Sequence, residues 1–280
     1  MVREKRQHLT PLSPFVIIFL GDIKMNNELI TEQRNNTITK ANELIQKSRY
    51  SLSLQQQKII LYLISTINPY ATEFKKSKFK IQDFCKVCGI DYESGKNYIT
   101  LKEQIKKIAD KSCWVKLENG KETLLRWIEK PYIDENNGTI EIVFDKDMKP
   151  FLLQLRENFT QFELSYTLLF KCKYSIRLFE LLESYHFEKL QTLEKEIEIE
   201  ELKQRLDCEN YSQFKDFNSR VIKPASAEIS EYTQYLLKYE YIKSGRKITA
   251  IKFKMELKEI LNQMETHSNN EKLFYKNKEV

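Results

Sequence analysis

One pattern in this 280-residue chain occurs twice. The run Phe79-Lys80-Ile81-Gln82-Asp83-Phe84 leads into a helix-like stretch and a hairpin-like stretch, and Ile197-Glu198-Ile199-Glu200-Glu201-Leu202 opens the same succession again. At helical spacing the first copy carries Tyr98, Leu101, Ile105, Ala109 and Cys113; the second carries Phe214, Phe217, Val221, Ala225 and Ile229. The copies lie 118 residues apart at Ile81 and Ile199 and 116 apart at Ile105 and Val221, a gap of two residues. Solenoid units repeat every ~20–50 residues, so this period excludes such an array. It constrains the chain to two related domains, which its length also suits at about 100–200 residues each.

The elements around each copy fall in one order. Ser53 is a plausible N-cap for a helix over 53–67 carrying Leu54, Ile59, Leu61, Leu63 and Ile64. A short strand over 78–81 runs into a brief helix over 82–89 that Gly89 can end, and a longer helix follows over 96–111. Strands are expected at 114–117, 124–128 and 139–144, separated by the turn residues Glu118-Asn119-Gly120 and Asn136-Asn137-Gly138. Helix, strand, helix, helix, hairpin is the order of a winged helix-turn-helix. The second copy repeats it, with an amphipathic helix over 174–185, an acidic alternating strand over 194–201 whose charges protect an exposed edge, a short helix over 202–206 and a long one over 212–228. Its hairpin pairs 236–242 with 247–255 around Ser244-Gly245-Arg246. The expectation is an α+β fold of two tandem winged-helix domains related by an internal pseudo-repeat. Domain 1 would span 38–155 and domain 2 156–257, connected between Phe144 and Tyr166, where Pro150 punctuates the chain. An extension over 1–37 and a flexible tail over 258–280 flank them.

Composition bounds the partners. The chain is 41% hydrophobic and 31% charged, and its net charge of +6 favours a polyanionic partner. Five cysteines without a second close pair argue against a disulfide framework and for a reducing cytoplasm. The apolar run 15–20 follows Arg3, Lys5 and Arg6, but it is short for a signal core, lacks a small-residue cleavage site and falls well below the ~18–20 residues that span a bilayer. Residues 1–24 therefore read as an extension upstream of a functional start at Met25; a short hydrophobic arm packed on the body is the competing reading.

Enzymatic signatures are weak. The nearest approach to a phosphate loop, Gly89 to Asn97, has one residue too many between its glycines and Asn97 where a Ser or Thr would hold magnesium. The three histidines, His8, His186 and His267, are too scattered for a hydrolase triad or a two-histidine metal nuclease. Cys85-Lys86-Val87-Cys88 has zinc-knuckle spacing without a second ligand pair, so it reads as thiols on a short buried helix. No catalytic, cofactor-binding or metal site is assigned, and the expectation is a non-enzymatic protein.

The positive signal is cationic and belongs to the second copy. With Phe214, Phe217, Val221 and Ala225 toward the core, the 100° helical step places Ser212, Ser219 and Lys223 opposite, with Lys215, Asp216, Arg220 and Ser226 on the flanks. Arg and Lys can donate to guanine O6 and N7 in a major groove, and short hydroxyls reach bases or phosphates. The hairpin adds Lys243, Arg246, Lys247, Lys252 and Lys254 with no acidic residue among them, a wing suited to phosphates. The competing reading is an ordinary solvated helix and hairpin. Pro224 is awkward within the long helix and predicts a bend near Ile222. The first copy exposes Thr100, Glu103, Lys107 and Lys111, a mixed face better suited to backbone or protein contact.

These residues carry a resemblance. Tyr174-Ser175-Ile176-Arg177-Leu178-Phe179-Glu180-Leu181-Leu182 resembles the Arg-Leu-Tyr-Glu-Leu-Leu helix of plasmid replication initiators that bind iterons at theta-type origins. The segment from Phe214 to Ile229 resembles the recognition segment of that family, proline included, and Leu54-Gln55-Gln56-Gln57-Lys58-Ile59-Ile60-Leu61 resembles its opening helix. The resemblance spans residues 38–255. It implies a C-terminal winged helix that reads the iteron in double-stranded DNA, and an N-terminal one that contacts backbone in the monomer or pairs in a homodimer. It further implies origin opening with a host initiator ATPase, recruitment of the replicative helicase, self-repression by the dimer, and a bacterial cytoplasmic location. On this reading Lys215, Ser219, Arg220 and Lys223 meet bases or nearby phosphates, and Lys243, Arg246 and Lys247 hold backbone from the wing. Two alternatives are a dimeric winged-helix repressor without an initiation role and a rolling-circle nicking initiator.

Overall fold

A computed structural model describes residues 32–88, 90, 96–117, 119–186 and 192–259. The apolar run 15–20, Gly89 and the tail from 260 onward lie outside the described residues. The first half begins with strand β1 (Thr37–Ala41), helix α1 (Asn42–Lys47), strand β2 (Ser48–Arg49) and helix α2 (Leu54–Ser65). Ser53 caps α2 in a full capping box: its hydroxyl accepts from Gln56 N, and the Gln56 side chain accepts from Ser53 N. Strand β3 (Ser77–Lys80), helices α3 (Ile81–Cys88) and α4 (Lys96–Ala109), and strands β4 (Ser112–Lys116), β5 (Glu122–Arg126), β6 (Tyr132–Asp134) and β7 (Thr139–Ile142) follow.

A turn of 3-10 helix (Lys146–Met148) leads into α5 (Lys149–Leu152), strand β8 (Phe159–Glu163), and helices α6 (Leu164–Leu168) and α7 (Lys173–Glu183). The stretch expected to connect the halves is thus packed structure: Met148, Phe151 and Leu152 are buried, and β8 pairs antiparallel with β1. The second half holds β9 (Thr192–Glu198), α8 (Ile199–Arg205), α9 (Phe214–Phe217), a five-residue π turn (Asn218–Ile222), α10 (Lys223–Tyr232), β10 (Tyr235–Ser244) and β11 (Lys247–Leu257).

Sheet order confirms the repeat and corrects one part of it. In the second half the order is β10-β11-β9, and in the first β6-β7-β3, so a hairpin is joined in each case to the strand that precedes the helix pair. The short helices start at equivalent buried residues, Ile81 and Ile199. The wing of the first half is therefore β6–β7. The β4–β5 hairpin, which the sequence groups with the wing, pairs instead with β2 in a separate sheet and has no counterpart among the described residues of the second half. Cys113, expected at the end of the first long helix, sits buried on β4, because α4 stops at Ala109. Ile108 fills the core beside Leu101 and Ile105 in its place.

Helix α7 departs most from expectation. The sequence predicts an amphipathic helix, yet every residue from Tyr174 to Leu182 is buried, including Ser175, Arg177 and Glu180. Its polar side chains are buried because they are paired. Glu180 Oε1 accepts from Lys40 Nζ on β1 at 2.8 Å. Arg177 lies 3.4 Å from Glu180 Oε2, donates to the carbonyls of Ile45, Ser48 and Arg205, and stacks over the Tyr50 ring at 4.3 Å. Burial pulls the Lys40 pKa down, and Glu180 opposes that pull. The network joins β1, α1 and α7 to the end of α8.

Candidate nucleic-acid interface

The second half packs its long helical segment through Phe217, Val221, Ile222, Ala225 and Ile229, all fully buried; Phe214 is only half-buried. Two adjacent residues, Val221 and Ile222, both reach the core because the backbone widens into the π turn. There Lys223 N donates to Asn218 O, five residues back. The same widening accommodates Pro224. Proline has no N–H to give an i−4 carbonyl, and here it falls in the first turn of α10, where none is needed. The expected bend is thus realised as an extra residue in one turn, with right-handed helical angles kept at Ile222 and Lys223. π turns of this kind cluster at functional segments.

The outward face follows from this packing. Ser212, Lys215, Asp216, Ser219, Arg220 and Lys223 are exposed, and Ser219 Oγ donates to Asp216 O at 3.3 Å. Ser226, placed on a flank by simple helical stepping, is instead buried with an unpartnered hydroxyl, since the π turn shifts the phase of everything after Ile222.

The wing is a ten-residue strand against an eleven-residue one, closed by Gly245 and Arg246. Gly245 has φ +61°, the value a tight hairpin of this length needs at its first loop residue, and open space surrounds it. A bulge at Ile242 and Lys243 reorients the tip, where Lys243, Arg246 and Lys247 are all exposed. Among the described residues, no ion pair engages Lys215, Arg220, Lys223, Lys243, Arg246 or Lys247.

Two cations grouped with them by sequence are otherwise occupied. Lys252 pairs with Glu194 at 2.7 Å, and Lys254 pairs with Glu256 at 2.8 Å, which removes both from the free positive surface. The acidic alternation of β9, the neighbouring strand, neutralises Lys252 through Glu194, whereas Lys254 is neutralised from its own strand, by Glu256 two residues on.

Two contacts that the sequence reading missed anchor the long helical segment, one to the wing and one to the start of α7. Phe214 meets Tyr241 of β10 edge-on, with centroids 5.2 Å apart, and Tyr241 continues through Tyr239 to Phe253. The alternation of Tyr235, Leu237, Tyr239 and Tyr241 was the available signal. Glu228 of α10 accepts from Lys171 N, Cys172 N and Ser175 Oγ at the start of α7, which has no side-chain cap of its own. No local sequence pattern announces a cap supplied from 53 residues away.

The first half offers a different face. Its wing carries Asp134, Glu135 and Glu141, and Glu135 bridges to Lys102 of α4 at 2.8 Å, while Glu141 holds Lys76 and Lys78. Of the residues expected on that face, Lys107 is exposed and Thr100, Glu103 and Lys111 are half-buried.

Neither Cys85 nor Cys88 forms a disulfide, and burial pushes the thiol of Cys88 up to about 12. Among the described residues, no group of three His, Cys, Asp or Glu side chains comes together to hold a metal, and no helix is long and apolar enough to cross a membrane.

Two winged-helix units in tandem, the second presenting an unpaired cationic helix and wing, define a tandem winged-helix protein of the DNA-binding class. Residues 37–183 match the family profile described as Initiator Replication protein, WH1, and residues 198–255 match Initiator Rep protein, WH2. The chain belongs to this replication-initiator family. It is 28% identical over 242 residues to a replication initiation protein of Escherichia coli, covering 84% of this chain and 74% of that one. It also shares its fold with the Pi initiator protein, solved in complex with iteron DNA, at a TM-score of 0.68 and 20% identity over 81% of this chain and 99% of that one.

Proposed function

We propose that this protein initiates replication of a plasmid by binding direct repeats of double-stranded DNA at its origin. The observation that carries the reading is the set of six unpaired cations on the long helical segment and wing of the second half, Lys215, Arg220, Lys223, Lys243, Arg246 and Lys247, joined by Ser219. Family membership and the fold shared with an initiator solved on iteron DNA support it. The second half, from β9 to β11, reads bases through Lys215, Ser219, Arg220 and Lys223 and holds phosphates through the wing tip. The first half, whose wing is acidic and tied down, serves backbone contact through other surfaces and pairing into a homodimer. As a monomer the protein opens the origin with a host initiator ATPase and brings in the replicative helicase; as a dimer it represses its own gene. It acts in the bacterial cytoplasm without cofactor or catalytic step.

A plasmid carrying only this gene and its flanking repeats tests the proposal, with replication in a suitable host as the expected result. Tight repeat binding without replication favours a dimeric repressor instead. Nicks in supercoiled origin DNA incubated with the protein and a divalent metal would point to a rolling-circle initiator; none are expected.

A further inference from the structure

The segment from Leu168 to Ser175 is held from both sides. From the first half, Lys58 Nζ on α2 donates to Leu168 O at 2.6 Å, and Gln57 Nε2 donates to Lys173 O at 3.1 Å. From the second half, the Glu228 carboxylate accepts from Lys171 N at 3.0 Å, Cys172 N at 3.1 Å and Ser175 Oγ at 2.6 Å. Glu228 lies on the same helical segment as Arg220 and Lys223. A carboxylate at a helix N-terminus is favoured by the helix dipole and by the otherwise unbonded N–H groups there. Burial lowers the pKa of Lys58, and the nearby Cys88 and Glu228 oppose that shift.

We propose that Glu228 is a positioning residue for DNA reading: through the 168–175 segment it sets the long cationic helix against α2, and so fixes the spacing between the DNA contacts of the two halves. The inference rests on the DNA-reading role given above. Glu228 and Lys58 touch no DNA in this account; they act through the segment between them. Removing either contact leaves every exposed cation in place. Sequence-independent attraction to phosphates is therefore retained, while simultaneous engagement of a specific site by both halves is lost.

The test uses the full chain with Glu228→Gln, Lys58→Met and the double variant, each checked for fold by circular dichroism. Binding is measured to duplex carrying the direct repeats beside the gene and to a scrambled duplex, and the footprint on the repeat is mapped. Each single variant is expected to lose about tenfold in repeat affinity, the size of a typical coupling between sites. Scrambled-duplex affinity stays unchanged and the footprint shortens at one end. The double variant loses no more than either single, because both cut one connection. Ser175→Ala, which removes only the hydroxyl bond, gives the same pattern in smaller measure and serves if Glu228→Gln does not fold. Unchanged repeat affinity and footprint in the variants overturns the proposal, as does an effect of Glu228→Gln without one of Lys58→Met, which would confine Glu228 to the second half. A wild-type chain that does not distinguish repeat from scrambled duplex defeats the DNA-reading role itself, a separate and earlier failure.

Discussion

Phe214, at the start of the long helical segment, stands edge-on to Tyr241 in the wing at an interplanar angle of 86°. This contact couples the two surfaces that carry the free cations. Such aromatic pairs contribute about 0.5–1.5 kcal/mol beyond their buried area. Tyr241→Ala is therefore expected to lower stability by about 1 kcal/mol in denaturant unfolding. It should also weaken repeat binding more than Tyr239→Leu does, because Tyr241 is the ring that meets Phe214.

Arg220 and Lys247 divide along the line between reading and gripping. Arg220→Ala should weaken binding to the repeat by about 1–3 kcal/mol and to scrambled duplex much less, while Lys247→Ala should weaken both to a similar extent. Competition binding with the two duplexes measures this. Equal losses at Arg220 would move it among the phosphate contacts.

Salt should weaken the complex steeply. With the three wing-tip cations on phosphates, the logarithm of the binding constant falls against that of salt concentration with a slope near −3, at about −0.9 per phosphate, and each helix cation that also meets a phosphate steepens it by the same amount. Lys252→Ala and Lys254→Ala, at positions already neutralised by Glu194 and Glu256, should leave the slope unchanged.

The pair of Lys40 and Glu180 should be costly to break and cheaper to replace. Lys40→Met leaves a buried carboxylate facing only Arg177, at an expected cost of about 3–5 kcal/mol. The double replacement Lys40→Met with Glu180→Leu should recover part of that loss. Thermal unfolding of the three variants decides it.

Glu183 gives the fold a pH dependence of unusual sign. Burial raises its pKa to about 7, and Tyr235 Oη donates to Oε1 at 2.9 Å, with the His186 ring and the Tyr166 phenol nearby. Its folded pKa lies above the ordinary carboxylate value of 4.5, so the folded state binds the extra proton between those values. Its contribution is therefore most favourable below pH 4.5, declines as pH rises and levels off above about 7. Glu183→Gln should flatten this dependence and stabilise the protein at pH 8 by on the order of 2 kcal/mol.

Much of this architecture was legible in the sequence because it rests on local signals. Ser53 with Gln56, the buried stripe of Phe217, Val221, Ala225 and Ile229, and the turn at Gly245 are each set by residues within one helical turn or one hairpin. The misplaced features depend on distant partners. Helix α7 looks amphipathic until Lys40, 140 residues from Glu180, supplies the charge that lets its polar face be buried. Lys252 looks free until β9 is placed beside β11 and brings Glu194 against it. The first wing was misassigned because two successive hairpins have the same alternating pattern, and only pairing with β2 or β3 separates them. Ser226 moved inward because one widened turn rephases all that follows it.

The central claim is that the second half reads repeated double-stranded DNA at an origin. A footprint of the full chain on the DNA flanking its gene tests this most directly. Protection of several direct repeats at a regular spacing of about two helical turns (~21 base pairs), lost in Arg220→Ala, is the predicted result. No protection, or protection that ignores the repeats and survives that substitution, would contradict the account.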